Sequence, residues 1–280
     1  MESLSGREVR SWIPVRQAEQ SKRDFGRLLI VAGSTGMAGA AVLCGKAALR
    51  SGVGLATFYV PSNLFPILQT SLPEAMCADR YEEQPAKRFA DITAFAAGPG
   101  LGHHDEDVPV LQSILQQGKP VVLDADALNN IVRYDLHRGI AEAAGPKVLT
   151  PHEGEAARLL GVHVIEDRPQ AATALAEKYQ AVVVLKGHGS LIASPDGRIA
   201  VNTTGNAAMA KGGSGDVLTG MIGAFLAKGM PAFEAACAGC YLHGAAGDLC
   251  RDRFGEESVL ARDLTDAIPD AFIRLRSEEA

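Results

Sequence analysis

Short apolar runs alternate with longer stretches of helical spacing through most of this chain. The runs end in glycine, proline or polar residues and are too short for helices, which is typical of buried strands. The longer stretches predict helices between them. This order predicts an α/β fold with a doubly wound, mostly parallel sheet flanked by helices. The predicted strands are residues 27–32, 55–60, 94–97, 120–124, 147–150 and 181–185, followed by a hairpin of 190–193 and 198–201. The predicted helices are residues 39–51, 108–117, 127–133, 155–160, 169–179, 217–228, 232–251 and 265–277.

The polar and glycine-rich clusters of the chain follow the predicted strands. Ligands of a doubly wound sheet bind at the carboxyl ends of its strands, so we expect these clusters along one edge. Residues 1–26 are polar and are interpreted as an N-terminal arm that packs onto the domain. No linker, low-complexity segment or internal repeat interrupts the order, so residues 1–280 are predicted to form a single domain.

Composition narrows the class of protein. Hydrophobic residues make up 47% and charged residues 21%, as in ordinary soluble globular proteins. The net charge of −6 disfavours a nucleic-acid-binding surface, which needs clustered Lys and Arg. No apolar run approaches the roughly 20 residues of a membrane span, and the chain starts without a targeting segment. The five cysteines, an odd number, indicate free thiols in a reducing compartment. We therefore expect a cytoplasmic protein that binds neither nucleic acid nor membrane.

The segment 212–216 places three glycines and a carboxylate at the start of a predicted helix. Glycines let backbone N–H groups point inward, and the helix N-terminus adds the positive end of a dipole, so the segment is suited to bind an anion. Asp216 has two interpretations. It is either a cap of the helix or a general base beside a bound phosphate, which would make this a phosphoryl-transfer site.

A second cluster suited to phosphates is the segment 186–190, after the clearest predicted strand. It combines Lys186 with two glycines, and Lys211 offers another cation just before the glycine segment. The alternative is that 186–190 is only the entry loop of the hairpin. The glycine clusters 33–39 and 98–102 match neither the P-loop nor the dinucleotide fingerprint. The cluster 98–102 indicates either a close approach of backbone to a ligand or a plain strand-to-helix turn.

Two carboxylates at one predicted strand end are candidates for a metal site. Asp124 and Asp126 are placed to hold magnesium through water, or Asp126 with Asn129 to cap the next helix. The pair His152-Glu153 is not followed by a second histidine, so the HExxH zinc motif is absent. His152 is then either a surface or capping group or one of several polar groups that bind a ligand. No residue is assigned as a metal ligand.

Five motifs, taken together and in this order, resemble the ADP-dependent NAD(P)H-hydrate dehydratases of the ribokinase-like superfamily. The resemblance covers about residues 25–275 and implies a hydro-lyase that repairs hydrated nicotinamide cofactors. Such enzymes convert the S epimers of NADHX and NADPHX to NADH and NADPH, with ADP as co-substrate and AMP and phosphate as products. The motifs are residues 98–102, 124–129, 149–155, 185–189 and 206–220.

The resemblance also implies roles for individual residues. Asp216 would take the proton from the ring hydroxyl as it attacks the β-phosphate of ADP, and the amides around Gly213 and Gly215 would stabilise the transferring group. Magnesium is expected between the phosphates. The nucleotide-binding residues implied are Lys186, Gly187, His188, Gly189, Ser190 and Gly215. The substrate-binding residues implied are Ala40, Ala41, Gly100, Gly102, His152 and Asp216.

Many bacterial members of the family carry an epimerase domain, for which the 1–26 arm is too short. We therefore expect a stand-alone dehydratase served by a separate NAD(P)H-hydrate epimerase, and a homo-oligomer, specifically a homotetramer. Two other functions stay open. One is a kinase of the same superfamily acting on a vitamin-precursor alcohol, and the other is a non-catalytic nucleotide sensor. Segments 149–155 and 202–210 favour the dehydratase.

Overall fold

A computed structural model of the protein describes residues 2–82 and 85–277. Its strands are β1 (Glu2–Ser3), β2 (Arg27–Val31), β3 (Leu55–Val60), β4 (Met76–Asp79), β5 (Ala94–Ala97), β6 (Val121–Leu123), β7 (Lys147–Leu149), β8 (Val182–Leu185), β9 (Ser190–Ala193) and β10 (Ile199–Asn202). Within those residues they form a ten-stranded sheet in the order β1-β10-β9-β8-β7-β6-β5-β2-β3-β4. Among these strands, β9 runs antiparallel to its neighbours β8 and β10, and the other pairs are parallel. This confirms the mostly parallel sheet and the predicted hairpin of β9 and β10.

Helices cover both faces of the sheet. They are α1 (Gly6–Trp12), α2 (Ala38–Arg50), α3 (Phe65–Ser71), α4 (Pro85–Phe89), α5 (Val108–Leu115), α6 (Ala125–Arg133), α7 (His137–Glu142), α8 (Glu153–Leu160), α9 (Arg168–Tyr179), α10 (Ser214–Ala227), α11 (Ala232–Phe254) and α12 (Ala261–Ser277). Helices α1–α3 and α10–α12 pack against one face, and α4–α9 against the other. In the described part of the chain, no helix has both the length and the apolar surface needed to cross a lipid bilayer.

The strands alternate their side chains between the two faces. In β2, Leu28 and Ile30 join one core cluster, whereas Leu29 and Val31 join the other. Because both faces of the sheet are buried, both sets must be apolar, and the strand has a continuous apolar run rather than an alternating pattern. This is why the central strands could be predicted from short apolar runs.

Short elements at the margins of the sheet were missed. The edge strand β4 leaves Met76 47% exposed, so it lacks the apolar run that marks the central strands. The residues before β2 have regular structure that was not predicted, and Val9 of α1 is buried in the core. Ser5 and Glu8 form a capping box at the start of α1, and β1 extends the sheet beside β10.

The chain reverses its direction across the sheet at β2. Strands β3 and β4 lie on one side of β2, and β5 to β8 lie on the other. The helices that follow β2 and β5, α2 and α5, cover opposite faces. The loops therefore diverge at the carboxyl ends of β2 and β5 and leave a crevice, the usual ligand site of an open α/β sheet.

A buried ion pair holds the loop that leaves β2. Arg80 Nε lies 3.2 Å from Asp107 Oδ1, and both side chains are fully buried. Arg80 Nη2 also donates a hydrogen bond to the carbonyl of Gly33 at 3.0 Å. The amide of Gly33 donates in turn to the carbonyl of Pro99 at 2.8 Å. The loops after β2 and β5 are thus tied to each other and to the ion pair.

Loss of one partner of this pair should be costly. Asp107→Ala leaves the Arg80 guanidinium as an uncompensated buried charge and should lower the free energy of unfolding by about 3–5 kcal/mol. Urea unfolding followed by circular dichroism at neutral pH measures the loss. The double variant Arg80→Met, Asp107→Leu removes both charges and should lose less than the single variant. An Asp107→Ala protein as stable as the unaltered one would contradict this account of the pair.

Candidate active site

The glycine segment forms the N-terminus of α10. Gly213 is the N-cap with φ 95°, and a Cβ there would lie 2.6 Å from Leu43 Cδ1 and 2.9 Å from Ala261 Cβ, so only glycine fits. The helix begins at Ser214, three residues before the predicted start. Within the described residues, the amides of Gly215 and Asp216 donate to no backbone carbonyl. Free amides at a helix N-terminus form an anion-binding site.

Asp216 lies in the first turn of α10 and is not its cap, because Gly213 occupies that position. Its carboxylate accepts no hydrogen bond from the described part of the chain. The pKa of Asp216 is raised to about 7, mainly by burial and then by the charges of Asp124 and Asp126, against a partly offsetting effect of Lys186. A carboxylate with a pKa near the operating pH is suited to accept a proton as a general base.

An ion pair between partly exposed Lys186 and buried Asp124 lies next to Gly215 of the glycine segment. Lys186 Nζ is 2.6 Å from Asp124 Oδ1, and Thr219 Oγ1 donates to Asp124 Oδ2 at 2.8 Å. Glu155 Oε2 lies 3.9 Å from the same ammonium group. Burial alone would lower the pKa of Lys186, but Asp124 and Glu155 outweigh burial and raise it. A Cβ on Gly215 would be 3.3 Å from both charged groups. Lys186 is therefore a fixed cation at the anion site.

The loops around this cation enclose a cavity of about 1020 Å³. All six residues proposed to hold the nucleotide, 186–190 and Gly215, line it. The opposite wall is the segment 202–212, which includes Lys211. The Lys211 ammonium donates to the carbonyl of Glu257, so part of its hydrogen-bonding capacity is already used. The cavity combines a cation, free amides and apolar surface, which suits a phosphorylated ligand with an aromatic group.

The residues proposed to hold the substrate lie in two places. Gly100 approaches Met37 and Ala40 so closely that a Cβ would meet both within about 3 Å. Gly102 is nearby in the same loop, and its amide donates to Asp126 Oδ2 at 2.9 Å. Ala41 has no exposed surface, so of the two alanines only Ala40 has surface to offer a ligand. These residues lie at the crevice between β2 and β5.

His152 lies on the nucleotide side of the site, where it lines the cavity. It is the N-cap of α8, and its Nδ1 accepts hydrogen bonds from the amides of Gly154 at 3.0 Å and Glu155 at 3.3 Å. Glu155 completes a capping box by accepting from the amide of His152 at 2.8 Å. Helix α8 therefore starts at Glu153, earlier than predicted, and His152 leaves only Nε2 for a ligand.

The sequence and the fold are similar to those of known proteins. A family profile described as NAD(P)H-hydrate dehydratase matches residues 28–270. The ADP-dependent (S)-NAD(P)H-hydrate dehydratase of Neisseria meningitidis is 45% identical over 86% of this chain and 82% of its own length. The chain belongs to the NAD(P)H-hydrate dehydratase family.

Solved structures and longer relatives of this family agree with the fold. The ADP/ATP-dependent NAD(P)H-hydrate dehydratase from Bacillus subtilis, co-crystallized with ATP/Mg²⁺, superposes with a TM-score of 0.88 at 37% identity and 98% coverage of both chains. The ribokinase-like fold class is confirmed. The bifunctional NAD(P)H-hydrate repair enzyme of Moorella thermoacetica is 40% identical over 98% of this chain. The chain spans about half of that relative, 54% of its length.

Sequence reasoning missed several residues of this dehydratase-family site. Thr219 follows Gly215 by one helical turn, a spacing that places both on one helix face and was available from the sequence. His243 gave no such signal within the Ala-rich α11. Its Nε2 lies 3.3 Å from Ser214 Oγ, and burial lowers the pKa of His243 to about 4. It is therefore a neutral group of the cavity wall. Asp248 also holds the wall, because it accepts from the amide of Gly205 at 3.0 Å.

The carboxylates considered for magnesium are already engaged. Asp124 binds Lys186 and Thr219, while Asp126 accepts from Gly102 and lies 3.3 Å from His103 Nε2. Among the residues that the structure describes, no group of three His, Cys, Asp or Glu side chains is placed to hold a metal ion. The alternative that Asp126 caps the next helix is wrong. The N-cap of α6 is Asp124, which makes no side-chain cap bond, and Asp126 lies in the first turn. Asn129 instead accepts from Arg158 at 2.9 Å.

The raised pKa of Asp216 should carry a cost in stability. The folded protein holds this proton up to about pH 7, whereas an unfolded chain releases it near the ordinary pKa of an aspartate, about 3.9. Stability is therefore lost as the pH rises between these values. Asp216→Asn should remove the penalty and raise the free energy of unfolding above neutral pH by on the order of 3 kcal/mol.

Denaturant unfolding at a series of pH values measures this gain, which should vanish towards pH 4, near the unfolded-state pKa. Asp196→Asn is the matched control, because a hydrogen bond from Arg198 lowers the pKa of exposed Asp196. That variant should show no gain. A gain for Asp216→Asn that is equal at all pH values would contradict the titration account.

Proposed function

We propose that this protein is an ADP-dependent (S)-NAD(P)H-hydrate dehydratase, which converts NADHX and NADPHX to NADH and NADPH. The observation that carries the proposal is the position of Asp216. Its carboxylate accepts no hydrogen bond from residues 2–82 and 85–277, has a pKa of about 7, and lies beside the amides at the start of α10. Its neighbour Gly215 lines the nucleotide cavity, and Asp126, which contributes to its raised pKa, binds the amide of Gly102 in the β2–β5 crevice. Relatives of the same family support the substrate class.

The first step is transfer of a phosphoryl group. The hydroxyl oxygen of the hydrated ring attacks the β-phosphorus of ADP, the bond from that phosphorus to the bridging oxygen breaks, and AMP leaves. Asp216 accepts the hydroxyl proton as the new bond forms. The amides around Gly213 and Gly215 and the Lys186 ammonium stabilise negative charge on the transferring group. Preorganised donors of this kind typically lower a barrier by about 3–4 kcal/mol each.

The second step is elimination. Hydroxide is a poor leaving group and phosphate a good one, so the nitrogen lone pair of the ring can expel the phosphate. Loss of a proton from the neighbouring ring carbon then restores the conjugated dihydropyridine. Water is thus removed across the two steps, and its oxygen leaves as part of inorganic phosphate. Asp216 returns its proton to solvent before the next cycle.

Each side of the site then has its own ligand. The nucleotide-binding residues are 186–190 with Gly215, which all line the cavity. The substrate-binding residues are Ala40, Gly100, Gly102 and Asp216, together with His152, which lines the nucleotide cavity and so borders both ligands. Ala41 supports Ala40 from the core.

Magnesium fits this site only as an ion that the nucleotide phosphates bring with them. The described residues offer no preformed cage, and the nearest carboxylates are engaged in pairs. This agrees with the preference of magnesium for phosphates and water over all-protein cages. When bound, the ion neutralises phosphate charge.

Three wider features complete the proposal. Residues 1–280 form a single dehydratase domain, an epimerase supplies the S epimer from the R form in the cytoplasm, and the protein is a homotetramer. The bifunctional relatives, of which this chain spans about half, support the pairing with an epimerase. The main competing function is a small-molecule kinase of the same superfamily, which would use the same Asp216 without the elimination.

The purified protein should convert S-NADHX to NADH when ADP and magnesium are present. The rise of the reduced-nicotinamide absorbance band measures the conversion, with release of AMP and phosphate as a second readout. Parallel reactions with ATP and with NADPHX give the preferences. No conversion with either nucleotide would contradict the proposal, and phosphorylation of a vitamin-precursor alcohol instead would favour the kinase.

Catalysis should depend on the ionised form of Asp216. Asp216→Asn should lower kcat by at least about 100-fold while ADP binding, measured by calorimetry, stays within about threefold. In the unaltered protein, kcat/KM should fall as the pH drops below about 7, because a protonated carboxyl cannot accept the proton.

Asp124→Asn should move this acidic limb to lower pH. Two effects act in the same direction, because the variant removes a charge that raises the pKa of Asp216 and frees Lys186, which lowers it. The pH profile of kcat/KM measures the shift, and Asp196→Asn should not produce it. A limb that stays in place in Asp124→Asn would contradict the assignment of the limb to Asp216.

A further inference from the structure

Arg168, the first residue of α9, holds the loop that follows β8 without lining the cavity. Its Nη1 donates to the carbonyl of His188 at 2.7 Å and lies 3.5 Å from that of Gly189. Its Nη2 donates to the carbonyl of Leu185 at 3.4 Å. A single guanidinium group therefore joins three carbonyls of one short loop, which spans most of the proposed nucleotide contacts.

This loop needs support from outside because its backbone is irregular. Gly187 and Gly189 have φ values of 150° and 62°. Within the loop, the structure shows only the hydrogen bonds between Gly187 and the Ser190 hydroxyl, at 3.3 and 3.0 Å, among the described residues. A Cβ on Gly187 would lie 2.7 Å from Arg168 Nη2, so the glycine leaves the room that the guanidinium occupies.

The bonds to Arg168 also set the direction of a free amide. The N–H of Gly189 belongs to the same peptide group as the carbonyl of His188, and the two point in opposite directions in a trans peptide. Because that carbonyl faces Arg168, the N–H of Gly189 faces away from it. This N–H donates to no backbone carbonyl in the described part of the chain, and Gly189 lines the cavity.

Arg168 also connects this loop to the start of α8. Its Nε lies 3.0 Å from Glu153 Oε1, in the first turn of α8. The residue before Glu153 is His152, which lines the same cavity. A planar guanidinium supplies these contacts in a fixed geometry, whereas a lysine ammonium supplies one point charge.

We propose that Arg168 is a positioning residue that holds the 185–190 loop in the conformation that binds the nucleotide. The role rests on the proposed function only in the identity of the nucleotide, ADP. Arg168 touches neither substrate and acts through the carbonyls of the loop. Its loss should therefore weaken nucleotide binding and leave the hydrate pocket and the chemical step unchanged.

The test is ADP affinity, measured directly by calorimetry together with steady-state kinetics. Arg168→Met should raise both the Kd and the KM for ADP by about 10-fold or more, which corresponds to loss of one to two hydrogen bonds. The KM for the hydrate and kcat at saturating ADP should stay within about twofold. Arg168→Lys should recover little, because it keeps the charge and loses the fork. Arg138→Met, at an exposed arginine paired with Glu142, is the control and should match the unaltered protein.

A rescue experiment separates positioning from general damage to the fold. Free guanidinium at millimolar concentration should recover part of the ADP affinity of Arg168→Ala, and it should not improve Arg138→Ala. ADP affinity that is unchanged in Arg168→Met, or a fall in kcat without a change in Kd, would overturn the positioning role. Failure of the unaltered protein to bind ADP would instead contradict the proposed function. If ADP binds normally but no dehydratase turnover is seen, the proposed function is contradicted, and the ADP affinity of Arg168→Met still tests the positioning role.

Discussion

The Lys186–Asp124 ion pair joins the parts of this molecule on which the site depends. Asp124 directly follows β6, Lys186 directly follows β8, and Thr219 reaches Asp124 from α10, so the pair connects two strand ends and the helix that carries Asp216. A buried carboxylate is stable only when it is paired and hydrogen-bonded, and Lys186 and Thr219 meet this need for Asp124, while Glu155 lies 3.9 Å from the Lys186 ammonium. The same pair sets the electrostatics of the site, because Asp124 raises the pKa of Asp216 and Lys186 lowers it. The charges of Lys186 and Asp124 therefore both hold the site together and set the pKa of Asp216.

The topology of the sheet determines why two ligands can meet at this pair. The crevice between the loops after β2 and β5 exists because the chain reverses there, and the buried Arg80–Asp107 pair holds the first of these loops through Gly33. The cavity on the other side is bounded by the β8–β9 loop and by the segment that leads into α10. Asp216 follows Gly215 of this cavity, and Asp126, which contributes to its raised pKa, binds the amide of Gly102 in the crevice. A transfer of phosphate from a nucleotide to a ring hydroxyl requires this arrangement, with the base facing the acceptor and the amides facing the phosphate.

Local order around the site comes from side chains that bind backbone rather than from long regular elements. Arg168 binds carbonyls of the β8–β9 loop, Asp248 binds the amide of Gly205, and His152 binds the first amides of α8. Loops of this kind have few hydrogen bonds of their own, so such contacts decide their conformation. The result is a cavity whose wall is irregular in backbone but fixed in shape.

The sequence by itself determined the alternation of strands and helices, the glycine positions, and the chemical groups at the strand ends, because these depend on local patterns of burial and turn formation. It also located Asp216 and Lys186 as candidates through their neighbours in the chain. Only the tertiary structure decided that Lys186 pairs with Asp124, that Asp216 has a pKa of about 7, and that His152 caps α8. The same holds for Arg168, which no motif indicated. These properties depend on burial and on partners distant in sequence, and packing alone brings such groups within a few ångströms of each other.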